Sequence, residues 1–273
     1  KLLLTDRNAA WIPALEKILQ GDQATMVMVG AGHLCGPGSV VDLLEKKGYR
    51  VTWLGVDQDG MLDLDELGGA LTDDTALVSI MAANNETGVI FPIEKIGAIV
   101  KAKGIPLHVD AVQAAGRVPL DMRALPVDLL TISAHKFHGP KGVGALYVRR
   151  GITFPPFIIG GHQERNRRAG TENVAGIVGM GKAAEIASGC LADDSDRIGR
   201  LRDRFEESLL RSCPECRVNG QRLSRLPNTS NVSFRYLEGE SILVLLDQNG
   251  ICASTGSACT AGGIVRRVLR RRR

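Results

Sequence analysis

Aromatic side chains are scarce in this sequence, which has two tryptophans, three tyrosines and six phenylalanines among 273 residues. So low an aromatic content argues against a surface on which the bases of single-stranded nucleic acid stack. Long apolar runs are lacking too: none approaches the ~20 residues that span a bilayer, and the first residues lack a signal-peptide pattern. We therefore expect a cytoplasmic protein without a membrane segment.

Neither net charge nor cysteine content defines a class of function. The net charge is +4, but six of the last eight residues, RRVLRRRR, are arginine, so the rest is slightly acidic. Such a tail could bind nucleic acid, although a solvated terminus is the simpler interpretation, and we expect no nucleic-acid partner. Six cysteines in a chain this long do not indicate a disulfide framework. Cys213 and Cys216 form a lone CxxC, and without further ligands it predicts no metal site.

Short apolar runs alternate with amphipathic stretches from residue 75 onward, as in α/β proteins. The segment 92–104 predicts a helix, because Pro92 suits its first turn and Gly104 its end. Strands connected by right-handed crossovers form a mostly parallel, doubly wound sheet. The predicted strands are 75–83, 105–111, 128–134 and 144–150.

The remainder of the chain predicts a smaller α+β unit. Its predicted elements are a helix from Val174, a second helix over about 194–211, a strand within 228–236, a helix over 239–250 and a loop over 252–263. We therefore predict a large α/β domain over residues 1–185 and a small C-terminal domain over 186–273.

Three polar clusters follow the predicted strands: NNETG (84–88), DAVQ (110–113) and SAHK (133–136). Ligands of open parallel sheets bind at the carboxyl ends of the strands, where these clusters would meet. Alone, Asp110 could be a helix cap and His135 a buried structural histidine. Together, a lysine and an aspartate at neighbouring strand ends suit pyridoxal phosphate (PLP), which needs an amine for its aldehyde and an acid for its ring nitrogen.

Several long motifs resemble the class V, fold-type I PLP-dependent cysteine desulfurases, the NifS-like and IscS-like proteins. The resemblance covers about residues 44–260. It implies a PLP fold-type I enzyme that converts L-cysteine to L-alanine and passes the sulfur on for iron–sulfur cluster or thio-cofactor assembly. The motifs are ALVSIMAANNETGVIFPI, HVDAVQAAGRVPLDM, SAHKFHGPKGVGALYVRRG, GGHQERNRRAGTENVAGIVGMGKAAE and STGSACTAG.

The resemblance also implies roles for individual residues. Lys136 would bind the cofactor aldehyde and later move the Cα proton of the substrate, and Asp110 would pair with the ring nitrogen. The other implied contacts are Asn85 and Gln113 with the ring hydroxyl or the substrate, and Ser133 and His135 with the phosphate.

Two further roles reach beyond these strand ends. Thr171 would contact the phosphate of a neighbouring subunit's cofactor, which implies a homodimer. Cys259, in a loop of small residues, would attack the substrate sulfur as a thiolate and hold it as a persulfide. A sulfur-acceptor or iron–sulfur scaffold protein is then the implied partner.

The sequence departs from the family pattern near both ends. The family's glycine-rich phosphate loop and the arginine that binds the substrate carboxylate have no counterpart here. His33 is the nearest candidate for the histidine that stacks on the cofactor ring. We therefore expect a chain truncated at both ends relative to the family. A selenocysteine lyase, a catalytically impaired fragment acting as a binding partner and, last, a nucleic-acid binder that uses the arginine tail remain as alternatives.

Overall fold

A six-stranded sheet forms the centre of the molecule. The computed structural model describes residues 25–29, 40–156 and 158–256. The strands lie in the order β2-β1-β3-β4-β5-β6. The first five in sequence are parallel and β6 is antiparallel to β5, which confirms the mostly parallel α/β sheet. Their bounds are β1 (Thr25–Val29), β2 (Arg50–Trp53), β3 (Thr75–Met81), β4 (Leu107–Asp110), β5 (Leu129–Ser133) and β6 (Gly144–Val148).

The main core lies against the middle strands of this sheet. β3 is buried on both faces, as a central parallel strand should be. Val78 and Ile80 of β3 pack with Val109 of β4 and with helix α3 (Ile93–Ala102), which buries Ile96 and Val100. This helix confirms the one predicted over 92–104, and Gly104, with a φ of +68°, follows its end.

Among residues 40–92, all of them described, two short helices precede α3: α1 (Val40–Lys46) and α2 (Leu64–Ala70). The carboxylate of Asp63 caps α2 by accepting hydrogen bonds from the backbone N–H groups of Asp65 and Glu66. Such a cap satisfies donors that have no partner within the helix.

A tight connection replaces a crossover helix between β5 and β6. Only residues 134–143 join the two strands, beginning with a 3-10 turn, Ala134–Phe137. A parallel connection needs about a dozen residues or more, so β6 returns antiparallel to β5. Lys136, the predicted cofactor-binding lysine, lies in this turn.

The last part of the described chain is dominated by one long helix. After the single turn α4 (Gln163–Asn166), helix α5 runs from Val174 to Ser212, 39 residues. The prediction of two separate helices was wrong, because Gly189 alone does not break a helix and no proline lies between them. The predicted domain boundary at residue 185 falls inside α5, and the division into two domains stays a prediction.

Helix α5 is long and apolar enough to cross a membrane by length and composition, which for a single helix is weak evidence. Part of its apolar surface is used inside the protein, since Met180, Ala183 and Ala187 pack against Phe137 and its neighbours. The expectation of no membrane segment stays a prediction. The chain then forms an antiparallel pair, β7 (Cys216–Val218) and β8 (Val232–Phe234), and helix α6 (Gly239–Gln248).

Candidate functional site

Asp110 is the last residue of β4, at the carboxyl edge of the sheet. It is in register with Met81 on β3 and Thr131 on β5, so the three strand ends lie side by side. Its Oδ1 accepts a hydrogen bond from the backbone N–H of Val112 at 2.9 Å. The half-buried carboxylate therefore orders the turn that follows the strand by a contact of the kind that a cap makes, and its role toward a cofactor stays a prediction.

Lys136 lies three residues beyond the end of β5. It is half-buried in the 3-10 turn, between the buried side chains of Ala134 and Phe137. Backbone hydrogen bonds from Ala134 N to Val143 O (3.1 Å) and from Gly139 N to Ala134 O (2.8 Å) fix this turn. The lysine is thus held on a rigid corner next to the end of β4.

Ser133 and His135 lie immediately before this lysine. The Oγ of Ser133 is 2.8 Å from Nδ1 of His135, and the imidazole is exposed. An exposed ring excludes the alternative of a buried structural histidine. A hydroxyl and an imidazole beside an ammonium group suit an anionic ligand such as a phosphate.

The other predicted contact residues belong to loops after β3 and β4. Asn85 is exposed in the turn after β3, whose shape is set by Asn84. Gln113 is half-buried in the turn after β4, where Ala114 N donates to Ala111 O at 3.0 Å. The structure therefore brings these loops to the edge that carries Asp110 and Lys136, while the role of each residue stays a prediction.

Four predicted features lie apart from this edge or outside the described residues. Thr171 is exposed in the loop before α5 rather than on a strand end. Cys259, His33 and the arginine tail lie outside the described residues. Their predicted roles are carried forward only as predictions.

Sequence reasoning missed His108, which lies two residues before Asp110 on β4. Residues two apart on a strand share a face. In the sequence HVD, the imidazole of His108 and the carboxylate of Asp110 are therefore on the same face of the sheet. Nδ1 of His108 is 2.8 Å from Ser79 Oγ, and Nε2 is 3.4 Å from Thr131 Oγ1. Burial lowers the pKa of His108, and the Asp110 carboxylate partly opposes this shift. The position of His108 two residues before Asp110 on a predicted strand was the sequence signal that could have identified it.

A distant stretch of the chain, Ser224–Asn231, braces the loop that carries Asn85. The backbone N–H groups of Ile90 and Leu226 donate to the carbonyl oxygens of Ser224 (2.9 Å) and Gly88 (2.8 Å). The side-chain amide of Asn231 donates to Glu86 O at 3.1 Å. We call this stretch the bracing segment; nothing in the local sequence of the loop indicates it.

The side chains at this edge of the sheet suit an organic ligand better than a metal ion. In residues 40–156 and 158–256 no group of three or more histidine, cysteine, aspartate or glutamate side chains could hold a metal ion. The strand ends and loops at this edge carry an amine, a carboxylate, two side-chain amides, a hydroxyl and an imidazole instead. Groups of these kinds suit a phosphorylated aromatic ligand.

Comparison with known proteins gives consistent matches. Residues 5–271 match the aminotransferase class-V family. A cysteine desulfurase of Nostoc sp. is 59% identical over 226 residues, 83% of this chain and 56% of the relative. The cysteine desulfurase IscS of Methanosarcina thermophila is 53% identical over 81% of this chain and 54% of its own. A solved NifS-like protein from Rickettsia africae superposes with a TM-score of 0.76 and 31% identity over 93% of this chain and 68% of its own. The chain thus spans somewhat over half the length of the curated relatives that it matches.

Proposed function

Because this chain belongs to the aminotransferase class-V family, we propose that it forms part of a PLP-dependent cysteine desulfurase. The observation that carries the proposal is the placement of Asp110 and Lys136 at the carboxyl ends of adjacent parallel strands. Ligands of such sheets bind there. The relatives named above supply the substrate class, L-cysteine.

The donor set fits PLP, which when bound supplies an electron sink for the bond to be broken. Lys136 would hold it through its amine and, once released, take the proton from the substrate Cα. Asp110 would keep the ring nitrogen protonated. Ser133 and His135 would hold the phosphate, and Asn85 and Gln113 would orient the ring hydroxyl or the substrate.

Cys259 would complete the reaction as the sulfur acceptor. Its thiolate would attack the sulfur of the bound cysteine, so that a new S–S bond forms while the carbon–sulfur bond breaks. The electron pair of the broken bond stays with the substrate carbon, which takes up a proton; L-alanine then leaves, and Cys259 keeps the sulfur as a persulfide. A homodimer in which Thr171 serves the neighbouring subunit, a cytoplasmic location and delivery to an iron–sulfur scaffold or other sulfur acceptor belong to the same proposal.

The visible absorbance of the purified chain mixed with PLP tests the cofactor site. We expect a band from lysine-bound cofactor in the wild type and in Lys141→Ala, because Lys141 is an exposed lysine of the same loop. Lys136→Ala should lose the band. A chain that forms no band, or a Lys136→Ala variant that keeps it, would contradict the proposal.

Sulfide release from L-cysteine in the presence of a thiol reductant tests the acceptor. Cys259→Ala should abolish it, whereas Cys252→Ala, an exposed cysteine to which we assign no role, should keep it. Cofactor binding without sulfide release in the wild type would favour the impaired fragment instead.

A further inference from the structure

Cys213 and Cys216 lie at the two ends of a tight turn far along the chain from the proposed site residues. Cys213 caps the C-terminus of α5, and Cys216 begins β7. The backbone N–H of Cys216 donates to Cys213 O at 3.2 Å, which closes a β-turn. Pro214 occupies its second position, where a fixed φ favours such turns. The ends of a β-turn have Cα atoms within about 7 Å, the range that a disulfide spans.

The backbone of Cys213 and the side chain of Cys216 both contact the carbonyl oxygen of Leu209. The Cys213 backbone N–H donates to Leu209 O at 2.8 Å, and Sγ of Cys216 lies 3.9 Å from that oxygen. Burial raises the pKa of the Cys216 thiol, and the neighbouring Cys213 thiol raises it further. The Cys216 sulfur therefore lies over the last turn of α5, one β-turn away from Cys213.

The environment of these two cysteines favours a disulfide over a metal site. Both cysteines are free thiols and half-buried, and within the described ranges no third ligand joins them. The negative end of the helix dipole at Cys213 disfavours thiolates. This is opposite to a CxxC at a helix N-terminus, where stabilised thiolates make the disulfide strongly oxidising.

We propose that Cys213 and Cys216 form a redox modification site, which closes to an intramolecular disulfide by exchange with a low-molecular-weight disulfide such as oxidised glutathione. One cysteine thiolate attacks the external disulfide, forms a mixed disulfide and releases one thiolate. The second cysteine attacks the protein sulfur of the mixed disulfide and releases the other. The two protein thiols lose two protons and two electrons, and the external disulfide is reduced to two thiols. Closure ties the end of α5 to the start of β7.

Trypsin makes this closure directly measurable. Arg211 and Arg217 flank the pair, so digestion releases SCPECR, residues 212–217, with both cysteines in one peptide. The reduced full chain is equilibrated with mixtures of oxidised and reduced glutathione, quenched with acid, alkylated with iodoacetamide and digested without reductant. The closed peptide is lighter by two hydrogens than the dithiol and carries no alkyl group.

We expect the closed peptide to predominate at oxidised-to-reduced ratios ~10-fold below those that modify the exposed Cys190 and Cys252, because the second attack is intramolecular. Cys213→Ser and Cys216→Ser should each abolish the closed form. The proposal is overturned if the wild-type peptide carries two alkyl groups at every ratio. Two glutathione adducts, or cross-links between chains, would overturn it equally. None of these results depends on cofactor binding or desulfurase activity.

Discussion

Glu206 of α5 and Arg225 of the bracing segment form an ion pair inside the protein, with Oε2 and Nη2 2.7 Å apart and side chains 0% and 1% exposed. In the described part of the chain, Oε1 of Glu206 and Nε and Nη1 of Arg225 are buried without a hydrogen-bond partner. The pair fixes α5 to the segment that braces the Asn85 loop. It therefore joins a helix of the C-terminal part to the edge of the sheet.

Replacing Glu206 by alanine should lower the free energy of unfolding by about 3–5 kcal/mol, because it leaves the Arg225 charge buried and unpaired. Asp196→Ala, which breaks the exposed pair with Arg200, should change it by less than ~1 kcal/mol. Urea denaturation measures both. The double variant Glu206→Leu/Arg225→Met should be more stable than Glu206→Ala, since it buries no charge; a double variant that is less stable would contradict this explanation.

The neighbouring asparagines of the loop after β3 should behave differently. Oδ1 of Asn84 accepts hydrogen bonds from Glu86 N, Thr87 N and Thr87 Oγ1. Asn84→Ala should therefore cost about 1–3 kcal/mol of stability. Asn85→Ala, at an exposed position, should leave thermal unfolding unchanged and act only on PLP affinity, followed by absorbance. Equal losses of stability in the two variants would show that the assignment is wrong.

Acid should destabilise the protein through His108. Its pKa is lowered in the folded state, so below the ordinary value of about 6.5 the unfolded chain binds a proton that the folded chain does not. The stabilising contribution is complete above pH ~6.5 and is lost as the pH falls toward the folded pKa, with a slope of at most ~1.4 kcal/mol per pH unit. His108→Gln should flatten the dependence of the unfolding free energy on pH between about pH 7 and pH 5, the interval around the ordinary histidine pKa of about 6.5. His162→Gln, at an exposed histidine, serves as the control and should leave the slope as in wild type.

Replacing glycine by alanine should have opposite effects on stability in helices α3 and α5. At Gly97 of α3 an added Cβ would lie 2.8 Å from the carbonyl oxygen of Pro126, whereas at Gly189 of α5 it would meet open space. Gly97→Ala should destabilise the protein by about 1–3 kcal/mol through overpacking. Gly189→Ala should stabilise it by up to ~1 kcal/mol, because alanine is the better helix former. Thermal unfolding of both variants checks the signs, and two shifts of the same sign would refute the packing argument.

The sequence by itself determined the elements whose signals are local. The apolar run of β3, the amphipathic face of α3 and the order of strands and helices follow from hydrophobic periodicity and from proline and glycine at the helix ends. The polar clusters after three strands were also readable, because parallel strands align their carboxyl ends. The continuous α5 was not predicted, since one glycine is too weak a signal to decide between one helix and two.

Only the tertiary structure decided which distant residues meet. The bracing of the Asn85 loop by Ser224–Asn231 and the burial of Glu206 with Arg225 join segments that are far apart in sequence, and no local pattern encodes such contacts. The same holds for His108, whose type and spacing are visible in the sequence but whose hydroxyl partners come from β3 and β5. Periodicity records the face that a residue occupies, whereas its partners and its degree of burial depend on how the whole chain packs.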